Sequence, residues 1–126
     1  QRASMRIEWQ KDTTEVNNGS GYSGKIPAEV CRRYVNRLPL PGFAVHREVK
    51  FGVTVELLKD SDWVVTQQRT GKMIACYKTR KAARRAAEEL MALGVDKWEK
   101  DETDKMTAKK RTQLLRVRFA YEGWAK

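Results

Sequence analysis

The chain has little with which to do chemistry. One histidine, His46, and two cysteines, Cys31 and Cys76, are its whole supply of imidazole and thiol groups in 126 residues. A four-ligand zinc site would need nearly all of them, at unfavourable spacings. No Ser, Cys or Asp around His46 forms a recognisable triad. The cysteines lie in different segments without CxxC spacing, so a reduced, cytoplasmic setting is the simplest expectation. With three prolines and eight glycines the composition is neither collagen-like nor that of a disordered tail. No apolar run approaches the roughly 18 residues of a membrane span, and no charged-then-apolar signal segment is apparent. Neither catalysis, nor a cofactor, nor a metal, nor a membrane is expected.

Positive charge is what the chain has in quantity. Its 26 Lys and Arg outnumber 16 Asp and Glu, giving a net charge of +10, while 40% of the residues are apolar. Such a chain folds around one modest core and is drawn to something negative. A single domain over residues 1–126 is expected, with Met5 as a plausible natural start behind Gln1–Ser4.

Periodicity divides the chain. Ile7 and Trp9 alternate with polar residues over Met5–Lys11, as in a half-buried strand. Residues 12–25, rich in Asn, Ser and Gly, read as a flexible loop. Pro27 suits the first turn of a helix, and Val30, Cys31, Tyr34, Val35 and Leu38 follow at helical spacing until Pro39, Pro41 and Gly42 end it. Phe43, Val45, Val49, Phe51, Val53, Val55 and Leu57 all fall on odd positions. That pattern predicts one strand bent at Gly52 or a hairpin turning near Lys50–Gly52. Asp60–Asp62 reads as a turn, and its carboxylates as turn chemistry. Trp63–Gln68 and Lys72–Tyr77 are expected strands joined by a short loop at Arg69-Thr70-Gly71. Thr79 can cap a helix over Arg80–Leu93, which Gly94 stops. Residues 96–104 form an acidic connection, followed by a helix over Lys105–Thr112 and a strand in which Leu115, Val117, Phe119 and Tyr121 alternate with Arg116 and Arg118. The fold class is α+β, a mainly antiparallel sheet with helices packed on one face.

Two features could carry function. In the Arg80–Leu93 helix, Ala82, Ala83, Ala86, Ala87, Leu90 and Leu93 share one face, and Arg80, Lys81, Arg84 and Arg85 gather on another. Exposed cations at a helix N-terminus are unfavourable by roughly 0.3–1 kcal/mol each, so four there suggest an expected anion. The bland alternative is a solvated face in which Glu88 and Glu89 offset Arg84 and Arg85 at i,i+4. The second basic group is the C-terminal segment, with Lys109, Lys110, Arg111, Arg116 and Arg118. Its neighbours Phe119, Tyr121 and Trp124 could form a stacking platform, but an ordinary amphipathic strand is the preferred reading. A third pattern, Gly19-Ser20-Gly21-Tyr22-Ser23-Gly24-Lys25, satisfies both GxGxxG and GxxxxGK. Ile26 stands where a phosphate loop needs Ser or Thr, which removes the magnesium ligand, so a flexible connection is favoured. His46 reads as an exposed strand residue, and Cys31 and Cys76 as core fillers.

The run Arg80-Lys81-Ala82-Ala83-Arg84-Arg85-Ala86-Ala87 resembles the basic start of the last helix in double-stranded-RNA-binding domains. His46-x4-Phe51-x-Val53-x-Val55 is similar to that family's loop-then-strand passage. Over residues 27–93 the resemblance implies an α-β-β-β-α unit. Arg80, Lys81 and Arg84 would then lie on phosphates, and His46 in the loop that meets the minor groove. The chain departs from that pattern by an extra strand around Trp63–Gln68 and by some thirty residues beyond the helix.

The expected function is a small protein that contacts duplex phosphates mainly through the basic face of helix 80–93. The alternative, from another class, is a phage or mobile-element interaction protein docking on the acidic surface of a host nucleic-acid enzyme. DNA or RNA, and monomer or oligomer, are left open by the sequence.

Overall fold

Alternation of side chains across a pleated strand dominates the first two thirds of the chain. In the computed structural model, which describes residues 7–19, 21–99 and 103–120 (backbone alone at 103 and 118–120), eight strands precede two helices. They are β1 (Ile7–Asn17), β2 (Ser23–Val35), β3 (Leu38–Pro39), β4 (Phe43–Arg47), β5 (Val49–Phe51), β6 (Val55–Leu57), β7 (Trp63–Gln67) and β8 (Met73–Tyr77). Helices α1 (Arg80–Ala92) and α2 (Ala108–Ala120) follow, with short 3-10 turns at Val95–Lys97 and Thr103–Lys105. The main sheet is antiparallel with strand order β1-β2-β4-β7-β8, and β3 adds to β2. The class is α+β.

One face of this sheet receives the helices. Registers Trp9↔Cys31, Cys31↔Phe43, Val45↔Val65 and Val65↔Ala75 line these residues up across five strands. Cys31, Phe43, Val45, Val65, Ala75 and Tyr77 form one buried cluster with Ala83, Ala86, Ala87, Leu90 and Met91 of α1 and Leu114 and Val117 of α2. Alanines on α1 allow close approach to the sheet, and Thr79 and Gly94 bound the helix as the sequence requires. The Thr79 hydroxyl accepts from the Ala82 N–H at 3.1 Å, and Gly94 sits at φ 82°.

The opposite face is buried too, because the sheet curls. Its even-numbered residues Thr14, Val16, Ile26, Val30, Ala44, His46, Val64 and Thr66 are all buried. The curl brings the end of β1 round to the start of β8, where Asn17 and Lys72 make a parallel bridge and the Asn17 N–H donates to Gly71 O at 3.0 Å. The hairpin β5–β6 is the outward continuation of β4 and β7, with its turn at residues 52–54. Val55 packs directly against Gly24 of β2.

Three sequence expectations are corrected. Residues 27–38 are strand and turn, so the α-β-β-β-α order implied by the family resemblance is not adopted over 27–93. The mid-strand residues Val30 and Cys31 are both buried, one on each face of the sheet, and this double burial breaks the period of two. Pro27 is tolerated because β2 pairs with β4 only at residues 29–31, and at Pro27 it has only β1 beside it. Residues 12–17 and 23–25 are likewise paired ends of β1 and β2, up to Asn17↔Ser23. The GxxxxGK pattern is therefore a hairpin, with no helix N-terminus behind Lys25 to hold a phosphate. The helix expected at 105–112 and the strand from 115 are a single helix, α2, in which Leu114 and Val117 turn inward at i,i+3 while Leu115 is exposed. Met5, Tyr121 and Trp124 lie outside the described residues.

Gly42 marks the tightest contact between β2 and the start of β4: an added Cβ would lie 1.9 Å from Cys31 O and 3.1 Å from Arg32 Cα. Backbone cannot give way as a side chain can, so Gly42→Ala is expected to destabilise the fold by about 1–3 kcal/mol or more. At Gly19, where an added Cβ meets nothing within 4 Å, the only penalty is the positive φ of 78°, about 1 kcal/mol. Urea unfolding of the two variants checks the difference.

Candidate nucleic-acid interface

The four cations at the start of α1 do not form one face. Arg80 turns to the sheet and pairs through both Nε and Nη2 with the Glu29 carboxylate of β2, the Nε bond measuring 2.6 Å. That hydrogen-bonded ion pair holds the Glu29 carboxyl below the usual range and the Arg80 guanidinium above its own. Arg84, half-buried, lies with its guanidinium 4.5 Å from the centroid of the Trp9 ring, a cation–π contact. Glu88, one turn on, accepts from Trp9 Nε1 at 2.6 Å. The same helix edge thus grips two neighbouring strands, the edge strand β1 through Trp9 and β2 through Glu29.

Lys81 and Arg85 take the other side of α1 and are exposed. On α2, Lys109, Lys110 and Arg116 are exposed as well, whereas Arg111 is half-buried and donates to Met106 O at 3.0 Å. The side chain of Arg118 lies outside the described residues. α1 and α2 touch one another, and Lys81, Arg85, Lys109, Lys110 and Arg116 are all exposed on these two helices. None of these five enters an ion pair among the described residues; the pairs there join Arg32 to Asp12, Arg33 to Asp96 and Arg80 to Glu29.

None of these pairs is foreseen in the sequence, and Arg33–Asp96 is the most buried of them. Arg33 of β2 reaches Asp96 with two hydrogen bonds, of 2.9 and 3.0 Å, and also donates to Met91 O at the end of α1. Asp96 is 1% exposed. By composition it belongs to an acidic connection, and only its position right behind the helix-stopping Gly94 signals a buried role.

His46 is a further correction. His46 is 2% exposed, not on the surface. Its Nδ1 lies 2.6 Å from Arg47 O, a group that only accepts, so Nδ1 carries the proton. Nε2 then accepts from the Thr66 hydroxyl at 2.6 Å. Burial pushes its pKa down. Cys31 is a core residue, its thiol pushed up to about 12 mainly by burial and therefore unreactive. Among the described residues no group of three or more His, Cys, Asp and Glu side chains is placed to hold a metal ion, and no helix is long and apolar enough to cross a membrane.

The chain matches no protein-family model, no curated protein and no solved structure. The reading of the site rests on its own geometry.

A neutral, buried His46 makes stability fall with acid. Above about pH 6.5 the ring is neutral in both folded and unfolded chains. Below it, the unfolded chain takes up a proton that the folded one refuses until its own lower pKa is reached. Stability should therefore drop by at most about 1.4 kcal/mol per pH unit in that window. His46 is the only histidine, so urea titrations from neutral to mildly acid pH should lose this slope in His46→Gln.

Proposed function

We propose that the protein binds duplex nucleic acid through its phosphates, using the helical layer formed by α1 and α2. Lys81 and Arg85 are the contacts from α1, and Lys109, Lys110 and Arg116 those from α2. The observation that carries the reading is the state of these five side chains: exposed, on two helices that touch, and outside every ion pair among the described residues. A net charge of +10 supplies long-range attraction to a polyanion. Phosphate binding suits this layer better than base reading, because lysine and arginine on exposed helix surface present point charges and forks to a backbone. Arg80 and Arg84, which sequence alone places in the interface, act in this reading by fixing α1 to β1 and β2.

Fluorescence anisotropy with labelled duplexes of unrelated sequence tests it. The slope of log K against log salt should be negative, about 0.9 for each phosphate neutralised. Charge reversal at Lys81 and Arg85 should weaken binding by about 1–3 kcal/mol, nearly equally for every duplex, and lower the slope by about 1 per contact. Its unfolding midpoint should stay that of the parent, since both side chains point to solvent. Arg84→Ala should instead lower stability through the lost Trp9 contact. Binding that ignores salt, or full binding by the folded double variant, would overturn the proposal, and the second result would turn attention to an acidic protein surface as the partner.

A further inference from the structure

The hairpin that ends β2 holds a conformation its residues do not all favour. β2 and β3 join through Asn36 and Arg37, with Val35 and Leu38 paired across the last rung. Both turn residues lie at positive φ, 52° and 68°. Asparagine accepts that region readily, but the second place in such a turn is one where glycine is preferred. Arg37 carries a Cβ into it, is exposed, and enters no ion pair among the described residues. Strain of this kind costs the fold stability, and it is retained where the side chain has a use.

The direction of the tip is set by β2. Glu29, Cys31 and Arg33 alternate on the face that carries α1, and Val35 is next in that series. Leu38, directly opposite Val35, shares its face. Arg33 is bonded to Met91 O and to Asp96 at the end of α1. The tip therefore begins where α1 ends and runs on for about 10 Å, the rise of three strand residues. There Val35 is 51% and Leu38 67% exposed. Pro39 and Pro41 follow without backbone donors, so the tip offers side chains rather than a longer strand.

We infer that the tip Val35–Leu38 enters the minor groove of a DNA duplex held by α1 and α2, with Leu38 as an apolar wedge between base pairs and Arg37 in the groove beside it. The inference rests on the duplex-binding reading and names the kind of duplex. An arginine next to an apolar wedge suits a minor groove. A·T pairs narrow that groove and concentrate its negative potential, and an inserted leucine unstacks a base step and bends the axis. The major groove fits less well, because its edges are read chiefly by hydrogen bonds and Val35 and Leu38 have no group to make them. Duplex RNA fits less well too, since its minor groove is wide and shallow. Unstacking costs least at TA steps, which sets the preferred sequence.

Three duplexes test this: A·T DNA with TA steps, G·C DNA, and RNA matching the A·T sequence. Each carries a fluorophore at either end to report bending. The A·T DNA should bind about tenfold more tightly than the other two, the scale of one discriminated base pair, and its ends should approach on binding. Leu38→Ser, at an exposed position, should remove that approach and most of the preference. Arg37→Gly should weaken A·T binding while raising the unfolding midpoint, because glycine takes positive φ without strain. A merely structural role would not combine those two changes. Charge reversal at Lys81 and Arg85 should instead weaken all three duplexes alike. Equal binding of the three without bending, or bending that survives Leu38→Ser, would overturn the inference and leave phosphate binding by the helices standing. Absence of any duplex binding would overturn both and leave the tip to a protein partner. A dimer that Leu38→Ser dissolves would also overturn it, because the tip would then belong to a second copy of the chain.

Discussion

The close seating of α1 on the sheet is the contact on which the remainder of the structure depends. Three alanines, Ala83, Ala86 and Ala87, share one buried cluster with Phe43, Val45, Val65 and Ala75 of the sheet. Small residues alone would bury too little area to hold a helix firmly. The strand β2 compensates by tying down both ends. Its successive residues on that face are Glu29, which holds Arg80 in the first turn, Cys31, which joins the core, and Arg33, which holds Met91 O and Asp96 behind the last turn. Both tethers point the same way, so α1 runs alongside β2 in a parallel sense. Removing Asp96 alone would break a largely buried ion pair, a change that typically costs about 3–5 kcal/mol.

That seating also sorts the charge. A helix with four cations in its first turns could present them all to an anion or bury some of them in ion pairs. Here the helix edge nearest β1 and β2 takes Arg80 and Arg84, and the face away from the sheet keeps Lys81 and Arg85. The division follows from spacing. Positions 80 and 84 are one turn apart and fall on the flank that meets Glu29 and Trp9, while 81 and 85 are rotated outward by one residue, about 100°. α2, packed beside α1, then adds exposed cations to the same layer rather than to a distant one.

Much of this order is legible in the sequence, and the failures have identifiable causes. β4, β7, β8, the hairpin at β5–β6, the Thr79 cap and the Gly94 stop all follow from local signals that tertiary contacts reinforce. Residues 27–38 mislead because a strand whose middle is buried on both faces, with Val30 toward the inside of the curl and Cys31 toward α1, loses its alternation. Its apolar residues then fall by accident at helical spacing. α2 misleads for the converse reason. Leu115 and Val117 alternate like strand residues, yet Leu115 is exposed, and the buried pair is Leu114 and Val117. The basic candidates are legible as a group. Their division into tethering and outward-facing residues is not, because Trp9 and Glu29 are some fifty to seventy residues away from α1 in sequence.

The ribbon of β1 and β2 links the seat of α1 to the start of β8. At one end, Trp9, Glu29 and Arg33 anchor α1 and thereby set which cations face outward. At the other, Thr14, Val16 and Ile26 cross the inner face of the curled sheet, and Asn17 docks on Gly71 and Lys72 just ahead of β8. The registers from Ile7↔Arg33 to Asn17↔Ser23 run without interruption between these ends. A slip of one residue would turn Trp9 and Cys31 to the wrong face of the sheet and carry Asn17 away from Gly71 together. The turn at 18–22 fixes that register locally, with the Asn18 N–H donating to Tyr22 O at 3.2 Å and glycines at positive φ at both Gly19 and Gly21. The loop that looks in sequence like a phosphate cradle therefore sets an alignment instead, the one by which a single ribbon both anchors α1 and closes against the start of β8.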